Sequence, residues 1–505
     1  MQRVDEFLNS LTMYKTVLYG LITLVACTLI VSILGSISFT PFMLLASLGL
    51  LVGICGITNF IFAKIFKAQT NTESYIISAL ILFFIMTPDV SRAEDLISLI
   101  AVGFFAMASK YIFAIKKKHL FNPVAISAVL IGLTGLTGAS WWIATPVMLP
   151  AVTIVGLLII RKLRKFSMFF AFLGVVAIEM LFFGLVYNTS SVDVITQLIL
   201  SWPVIFFATI MLTEPLTMPP TRVLQMMYGG LVGFLFAFQL PLGPILMSPE
   251  LALVIGNIFS YFVSSRQKII LTLKSKEKLS KTIYSYVFTQ SERLNFTAGQ
   301  YIEWTLPHKN PDSRGNRRYF TIASSPTEED IMLGVRISDD GSSFKKALLE
   351  LEKNARLSAG SLKGDFTLPD NKNKKLVFLA GGIGITPFRS MIKYLLDKGE
   401  KRDIILFHTC SNGSDFVYAD LFKEAEQKMN MKINYLLSEK ENVPANYEGK
   451  FGHLTKEMIK DAALDFNERI FYISGSSVMV DAYKKALKEL GVPKTNIVTD
   501  YFSGY

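Results

Sequence analysis

The sequence predicts three parts in series: a polytopic α-helical membrane domain over residues 1–265, an antiparallel β-barrel over 266–371 and a doubly wound α/β domain over 372–505. Three observations predict it. Apolar stretches of membrane-spanning length repeat from 15 to 265 with few charges between them. Short strand-like segments separated by turn residues crowd 266–370, the pattern of a small barrel. From 374 onward apolar strands alternate with helices, which builds a parallel sheet.

In the first part we expect about ten spans, each judged against the roughly 20 apolar residues that cross a bilayer. They are 15–35, 41–63, 72–88, 96–115, 121–139, 143–160, 167–187, 192–213, 222–241 and 249–265. The third is short and ends at Pro88 and Asp89. Basic residues fall in alternate loops: Lys64 and Lys67; Lys116, Lys117 and Lys118; Arg161, Lys162, Arg164 and Lys165; Arg222; Arg266 and Lys268. The intervening loops hold almost none, Arg92 being the main exception. The positive-inside rule then predicts a multi-pass cell-membrane protein with both termini and the soluble half in the cytoplasm. An even number of spans agrees with that. The net charge of +11 reads as topology, not as affinity for nucleic acid. The start "MQRVDEFLNSLTMYK" shows no small-residue cleavage site after a short apolar core, so no removable signal peptide is expected.

Composition excludes several chemistries. Cys27, Cys55 and Cys410 are far apart, so neither a disulfide framework nor a four-cysteine iron–sulfur or zinc centre can come from this chain; no metal site is expected. His119 is the one histidine near the spans, and it lies at a basic loop. A transmembrane haem reductase needs several in-membrane histidines, so that type is excluded. Glu179 stands mid-span in "FLGVVAIEMLFFG". It reads either as a coupling group for protons or ions or as a neutral acid bonded between helices. Asn122–Pro123 and Thr213–Glu214–Pro215 are expected to break helices at cytoplasmic span ends, which is tolerated where the freed backbone is buried or lines a cavity.

"K-x-x-F-N-P" followed by "T-E-P-x-x-x-P-x-T-R-x-x-Q-x-x-Y-G" resembles the membrane subunit family that includes the D subunit of the Rnf complex and the B subunit of the sodium-translocating NADH:quinone reductase. The likeness covers roughly residues 20–260. It implies about ten spans and FMN esterified to a threonine in a short glycine motif. The nearest string here, Thr134 to Ser140, has Thr134 where the motif has Asp and follows "FNP" too soon. Small residues in a helix turn are the plainer reading of Ser140, and non-covalent FMN in this half stays open.

In the soluble half the strands are "KIILTLKSKEKL", "TIYSYVFTQ", "QYIEWTLP", "RRYFTIASS", "IMLGVRIS" and "SLKGDFTLP", with one helix in "SSFKKALLELEK". Then "LVFLAG", "DIILFHTC", "KINYLLS", "RIFYISG" and "TNIVTDYF" alternate with helices. The turn "LAGGIGITPF" follows a strand and opens a helix, offering backbone N–H groups to a phosphate. The order "GQY … RYFTIAS … DGSS … GDFTLP … GGIGITP … SGSSVM … DYFSGY" resembles the ferredoxin–NADP reductase superfamily across nearly all of 270–505. The resemblance implies FAD in the barrel and a nicotinamide dinucleotide on the α/β domain. Arg318 would neutralise the flavin pyrophosphate. Tyr319 and Phe320 would line the flavin, with Phe320 flanking the ring, and Thr321 would bond near its N5, with Ser324 beside it. Gly341, Ser342 and Ser343 would open a helix facing the FAD phosphates. Gly381, Gly382, Gly384 and Thr386 would cradle the dinucleotide pyrophosphate. Ser474 and Gly475 stand where the family often has Cys-Gly near the nicotinamide. Asp500 would be the acid before the terminal aromatic, and Phe502 would stack on the isoalloxazine. "FHTCSNGSDFVY" offers no Arg or Lys for a ribose 2′-phosphate, which favours NADH over NADPH.

The expected activity is electron transfer from NAD(P)H through FAD to a quinone, a second flavin or a redox protein in the membrane, with room for ion coupling and partner subunits. A transporter with a redox-sensing FAD/NAD domain is the rival class, and a reductase tethered by an inert anchor is the third.

Overall fold

Composition shifts near residue 266, and the fold divides there into two units, Met1–Arg266 and Gln267–Tyr505. The computed structural model describes all residues except 1–3, 5–6, 9–10, 67–71, 116–117, 187, 189, 201–202, 238–240, 243–244, 265–268, 313–314, 340, 440–442, 445–446 and 502–505. Lys67, Lys116, Lys117, Arg266, Lys268 and Phe502 therefore lie outside the described residues.

The first unit is helical: α1 (Met13–Ile33), α2 (Pro41–Ile65), α3 (Thr72–Ile85), α4 (Ala93–Ile112), α5 (Pro123–Leu133), α6 (Leu149–Leu163), α7 (Phe166–Val186), α8 (Ser191–Leu200), α9 (Arg222–Ala237) and α10 (Pro249–Val263). Starts follow capping chemistry: the Thr12 and Thr40 hydroxyls accept from the N–H groups of Lys15 and Met43. Among the described residues α1, α2, α4 and α7 are long and apolar enough to cross a membrane. The others are shorter than the expected ten full spans require, and two spans differ in kind. The stretch 121–139 leaves helix at Leu133, where Gly135 takes φ 74°. The chain then runs irregularly, with the Ser140 and Trp141 N–H groups donating to the Ile85 carbonyl at 2.8 and 3.0 Å. In the stretch 192–213 helix is described over Ser191–Leu200 and again at Val204–Phe206, which widens into a π-helical turn at Phe207–Met211. Pro203 has no N–H to continue a helix there.

The expected Asn122–Pro123 break is real, and it is satisfied. The Asn122 side chain accepts from the N–H groups of Val124 and Ala125 at 3.0 and 3.1 Å. Its own N–H donates to Asn257 Oδ1 at 2.7 Å, and Asn257 Nδ2 donates to the Tyr228 hydroxyl at 3.0 Å. Buried polar groups freed by a break thus find partners, which is the condition for irregular backbone at membrane depth.

The second unit starts with strands β1 (Ile269–Lys278), β2 (Ile283–Gln290), β3 (Tyr301–Thr305), β4 (Arg317–Thr321), β5 (Ile331–Arg336) and β6 (Arg356–Lys363), in one antiparallel sheet of order β4-β3-β6-β1-β2-β5. Alternation sends Leu271, Leu273, Phe288, Ile302, Trp304, Leu333 and Val335 into one core. The outer strands meet just past their ends, where the Ala323 N–H donates to the Met332 carbonyl at 2.9 Å and the Met332 N–H donates to Ser324 Oγ at 3.0 Å. A short helix, α11 (Ser343–Leu349), drives Phe344 and Leu348 into that core.

Strands β7 (Leu376–Gly381), β8 (Ile404–Cys410), β9 (Met431–Leu437), β10 (Lys450–Phe451), β11 (Ile470–Gly475) and β12 (Ile497–Tyr501) form a parallel sheet of order β10-β9-β8-β7-β11-β12. Helices α12 (Thr386–Lys398), α13 (Ala419–Lys428), α14 (Lys456–Ala462) and α15 (Ser477–Glu489) connect them. Leu376, Phe378 and Ala380 face one core, Val377 and Leu379 the other, so β7 is apolar throughout. The strand order reverses beside β7, and the crevice at such a reversal is where open α/β sheets take ligands. The two sheets are bonded together: Ser390 Oγ donates to the Ser324 carbonyl at 2.6 Å, and the Tyr472 hydroxyl donates to the Thr367 carbonyl at 2.7 Å.

Candidate active site

Pleating divides the stretch Arg317–Thr321 between two faces of β4. Arg318 and Phe320 share one. The Phe320 ring lies 5.9 Å from the Phe344 ring, and the Arg318 guanidinium lies 5.4 Å from that same ring. Arg318 is 11% exposed, and its Nη2 is 3.4 Å from Asp312 Oδ1. The other Asp312 oxygen accepts the Ser343 N–H at 2.9 Å. The Ser343 hydroxyl accepts the Asp312 N–H at 2.8 Å and lies 3.0 Å from His308 Nε2. Ser342 caps α11 by accepting the Lys345 N–H at 3.4 Å, and the Gly341 N–H turns back to the Ser338 carbonyl at 2.8 Å. The structure thus gathers Arg318, Ser342 and Ser343 beside one another, as expected. It departs from expectation in what they hold: Asp312, which the sequence did not single out, already occupies them.

Tyr319 and Thr321 point to the opposite face, so Tyr319 does not share a surface with Phe320. Thr321 stands opposite Tyr301 on β3, and Tyr301 stands opposite Lys363 on β6. The Tyr319 ring meets Tyr301 edge-on at 5.7 Å, with Lys363 Nζ 5.7 Å from its centre. Burial, then the carboxylates of Asp500 and Asp365, push the Tyr301 phenol above its ordinary pKa. Asp500 is the β12 neighbour of Ser474 on β11, and Ser474 is the neighbour of Ala380 on β7. A continuous set of side chains therefore runs from Thr321 through Tyr301 and Asp500 to Ser474. Thr321 is buried, and its hydroxyl has no hydrogen-bond partner among the described residues. A buried hydroxyl left this way costs about 1–3 kcal/mol unless a ligand takes it.

Gly381 ends β7, and Gly382–Ile385 make one tight turn before α12. Gly382 takes φ 51°, in the left-handed region that disfavours a side chain. A Cβ on Gly384 would strike the Ser474 carbonyl oxygen and approach Gly475 Cα to 2.9 Å; one on Gly381 would strike the Met479 sulfur. The turn therefore lies against the backbone at the tip of β11, which explains Gly384, while Gly381 and Gly475 leave room for the Met479 side chain. Thr386 turns its hydroxyl back to the Ile383 carbonyl at 3.1 Å, and Ser324 closes the barrel. Both support the loops rather than stand open at the crevice.

Three further residues were missed by sequence reasoning. His408 on β8 donates from Nε2 to the Gly382 carbonyl at 3.2 Å; burial pushes its pKa down to about 4, so it is a neutral donor under the glycine turn. Arg336 on β5 puts Nη2 3.2 Å from the position a Gly382 Cβ would take, and pairs with Asp415 at 2.5 Å. Tyr301 lay inside the quoted "GQY" but was passed over. Only Tyr301 had a signal in the sequence; the other two are brought to the turn by strand register.

The residues present fit a flavin and a dinucleotide: an unmatched hydroxyl at Thr321, a cation at Arg318 that already holds an anionic group, and a turn with no room for side chains. The family model described as the oxidoreductase NAD-binding domain matches residues 378–485. A flavohemoprotein of Bacillus subtilis (strain 168) is 26% identical over 236 residues, covering 46% of this chain and 58% of that protein. The phenol 2-monooxygenase reductase component DmpP of Pseudomonas sp. (strain CF600) is 28% identical over 211 residues, covering 40% of this chain and 57% of that protein. The chain spans little more than half the length of these relatives. The solved flavohem-like FAD/NAD-binding domain of a Vibrio cholerae nitric oxide dioxygenase is 16% identical, with a TM-score of 0.41, over 46% of this chain and 98% of that one. Residues 378–485 thus match an oxidoreductase NAD-binding domain, and the C-terminal half is similar in sequence to flavohemoproteins and to a monooxygenase reductase component.

Proposed function

We propose that this chain is a membrane-bound flavoprotein oxidoreductase carrying electrons from NAD(P)H, through FAD, to a quinone or a second flavin such as FMN in the membrane. The observation that carries the reading is the unmatched Thr321 hydroxyl at one end of the set that continues through Tyr301 and Asp500 to Ser474. FAD, when bound, accepts hydride from a nicotinamide and releases electrons singly or in pairs. Thr321 donates its hydroxyl to the flavin, Arg318 neutralises the diphosphate, and the turn from Gly381 to Gly384 admits the dinucleotide backbone. Arg336 adds a cation beside Gly382. Asp500 and Tyr301 would line the polar end of the crevice. The absence of Arg or Lys in "FHTCSNGSDFVY" supports NADH as the donor.

In the same proposal the first unit crosses a cell membrane ten times, keeps both termini cytoplasmic and works beside other electron-transport subunits. The alternate basic loops and the four long apolar helices support that. Ion movement coupled to turnover is part of the reading and rests on Glu179.

The test is flavin content and reduction. The full chain, purified in detergent, is expected to release FAD in acid and to bleach on addition of NADH. Thr321→Val should slow bleaching by roughly tenfold, the worth of about one hydrogen bond. A preparation that takes up no FAD would sink the proposal. Bleaching without steady quinone or dye turnover would favour a redox-sensing transporter instead.

A further inference from the structure

Asp312 and a flavin diphosphate need the same donors. The Asp312 carboxylate accepts the Ser343 N–H at 2.9 Å through Oδ2 and faces Arg318 Nη2 at 3.4 Å through Oδ1. Arg318 is the group that the proposed function assigns to the diphosphate, and Ser343 belongs to the helix start that the sequence resemblance sets before the FAD phosphates. Carboxylate and phosphate are both acceptors only, and two anions on one guanidinium repel each other. One N–H also serves one strong acceptor at a time.

The contact is built to be undone. Asp312 keeps 26% of its side chain exposed, so its carboxylate can turn to water. Its backbone is held separately, by its N–H to Ser343 Oγ at 2.8 Å and by its carbonyl accepting the Gly315 N–H at 2.8 Å. Arg318 is fixed from behind as well: Nη1 donates to the Gly315 carbonyl at 3.1 Å and to the Arg317 carbonyl at 2.6 Å. The side chain of Asp312 can therefore leave while the donors stay in place.

Resting on the flavin reading above, we propose that Asp312 is an internal occupant of the diphosphate position, displaced when FAD seats. It sets how far this chain favours a diphosphate-bearing flavin over one without phosphate. A site competent only part of the time binds with its affinity reduced by that fraction. A carboxylate seated in nine molecules of ten would weaken FAD about tenfold and leave riboflavin untouched.

The experiment uses the full chain, stripped of flavin, and compares wild type with Asp312→Asn for FAD and for riboflavin by fluorescence titration. Asparagine keeps the backbone contacts and removes the charge. The expected result is FAD bound about tenfold tighter by the variant, with riboflavin unchanged. Asp312→Glu, which restores the charge, should return FAD toward the wild-type value. Unchanged or weaker FAD binding in Asp312→Asn would overturn the proposal, because Asp312 would then orient Arg318 in the loaded site. Equal tightening of FAD and riboflavin would overturn it too, as a general loosening of the pocket. If Asp312→Asn lowers the melting temperature of the stripped chain, Asp312→Ser supplies the same comparison. Wild type that binds no FAD defeats the flavin reading itself, an outcome distinct from wild type that binds FAD and a variant that gains nothing.

Discussion

The two halves of the chain use glycine for different ends. In the membrane half it lets helices close on one another: a Cβ on Gly229 would lie 2.6 Å from the Met168 carbonyl oxygen, and one on Gly233 would lie 2.9 Å from that of Phe172. Both bring α9 against α7, the small-residue contact that membrane helices favour because burial from water gives them no drive to associate. In the soluble half Gly384 lets a turn lie against the Ser474 backbone, and Gly381 and Gly475 make room for the Met479 side chain. The surfaces differ in the same sense. Among the described residues, large apolar side chains stand exposed all along the first half, Phe42, Phe170, Ile178 and Leu185 among them, and are few in the second, where Leu464 and Val478 are the most exposed.

Paired substitutions should break this comparison most strongly. Gly384→Ala forces a methyl into the Ser474 carbonyl, and overpacking of this kind costs about 1–3 kcal/mol. The same displacement falls on the dinucleotide turn, so NADH-driven bleaching should fall by well over tenfold. Gly233→Ala should cost a similar amount of stability in the membrane half and leave NADH-driven bleaching unchanged. Loss of bleaching in both, or in neither, would mean that the two glycines serve one purpose.

A smaller effect comes from His408. Burial lowers its pKa from the ordinary 6.5 to about 4, so the fold favours the neutral ring. The stability this group contributes is full above about pH 6.5 and is lost as pH falls toward 4, up to about 3 kcal/mol. His408→Gln keeps an N–H donor for the Gly382 carbonyl and does not titrate. Hydrogen exchange of the β8 amides, corrected for its intrinsic pH dependence, should therefore lose more protection in wild type than in the variant between about pH 7 and pH 5. Equal losses would mean that the ring is not the acid-sensitive group.

The soluble half was the more legible in the sequence. Alternation and turn residues placed the six barrel strands and five parallel strands near their observed ranges, though β6 starts earlier, at Arg356, and β10 was not foreseen. The membrane half was legible as apolar runs and as the helices within them, but not in where several of those helices stop short. Thr134 to Met148 is apolar and small enough to read largely as span, yet it is irregular: the Ser140 and Trp141 N–H groups donate to the Ile85 carbonyl and that of Ile143 to the Phe84 carbonyl, both on a segment distant in sequence. Composition records where a residue is soluble and says little about which carbonyl an N–H will meet. The site divides the same way. Thr321, Gly384 and Ser474 stand in motifs, whereas Asp312, Arg336 and His408 carry no local signal and are placed by packing between segments distant in sequence.

The last contrast concerns buried carboxylates. In the soluble half Asp415 is matched by Arg336 and Ser280, and Glu328 by Arg389. In the membrane half Glu250 accepts the Trp141 indole N–H at 2.5 Å. Glu179 differs, since its Oε2 is buried with no hydrogen-bond partner among the described residues. It sits on α7 between Ile178 and Phe182, both largely exposed. A group that takes up and releases an ion needs an open valence, which makes Glu179 the residue at which to test ion coupling. Glu179→Gln keeps shape and removes only the ability to ionise. Stability should change by less than about 0.5 kcal/mol, and NADH oxidation should continue. In sealed vesicles containing the variant, NADH-driven ion or proton uptake should vanish while turnover persists. Uptake equal to wild type would remove Glu179 from any coupling path and leave the membrane half as a conductor of electrons alone.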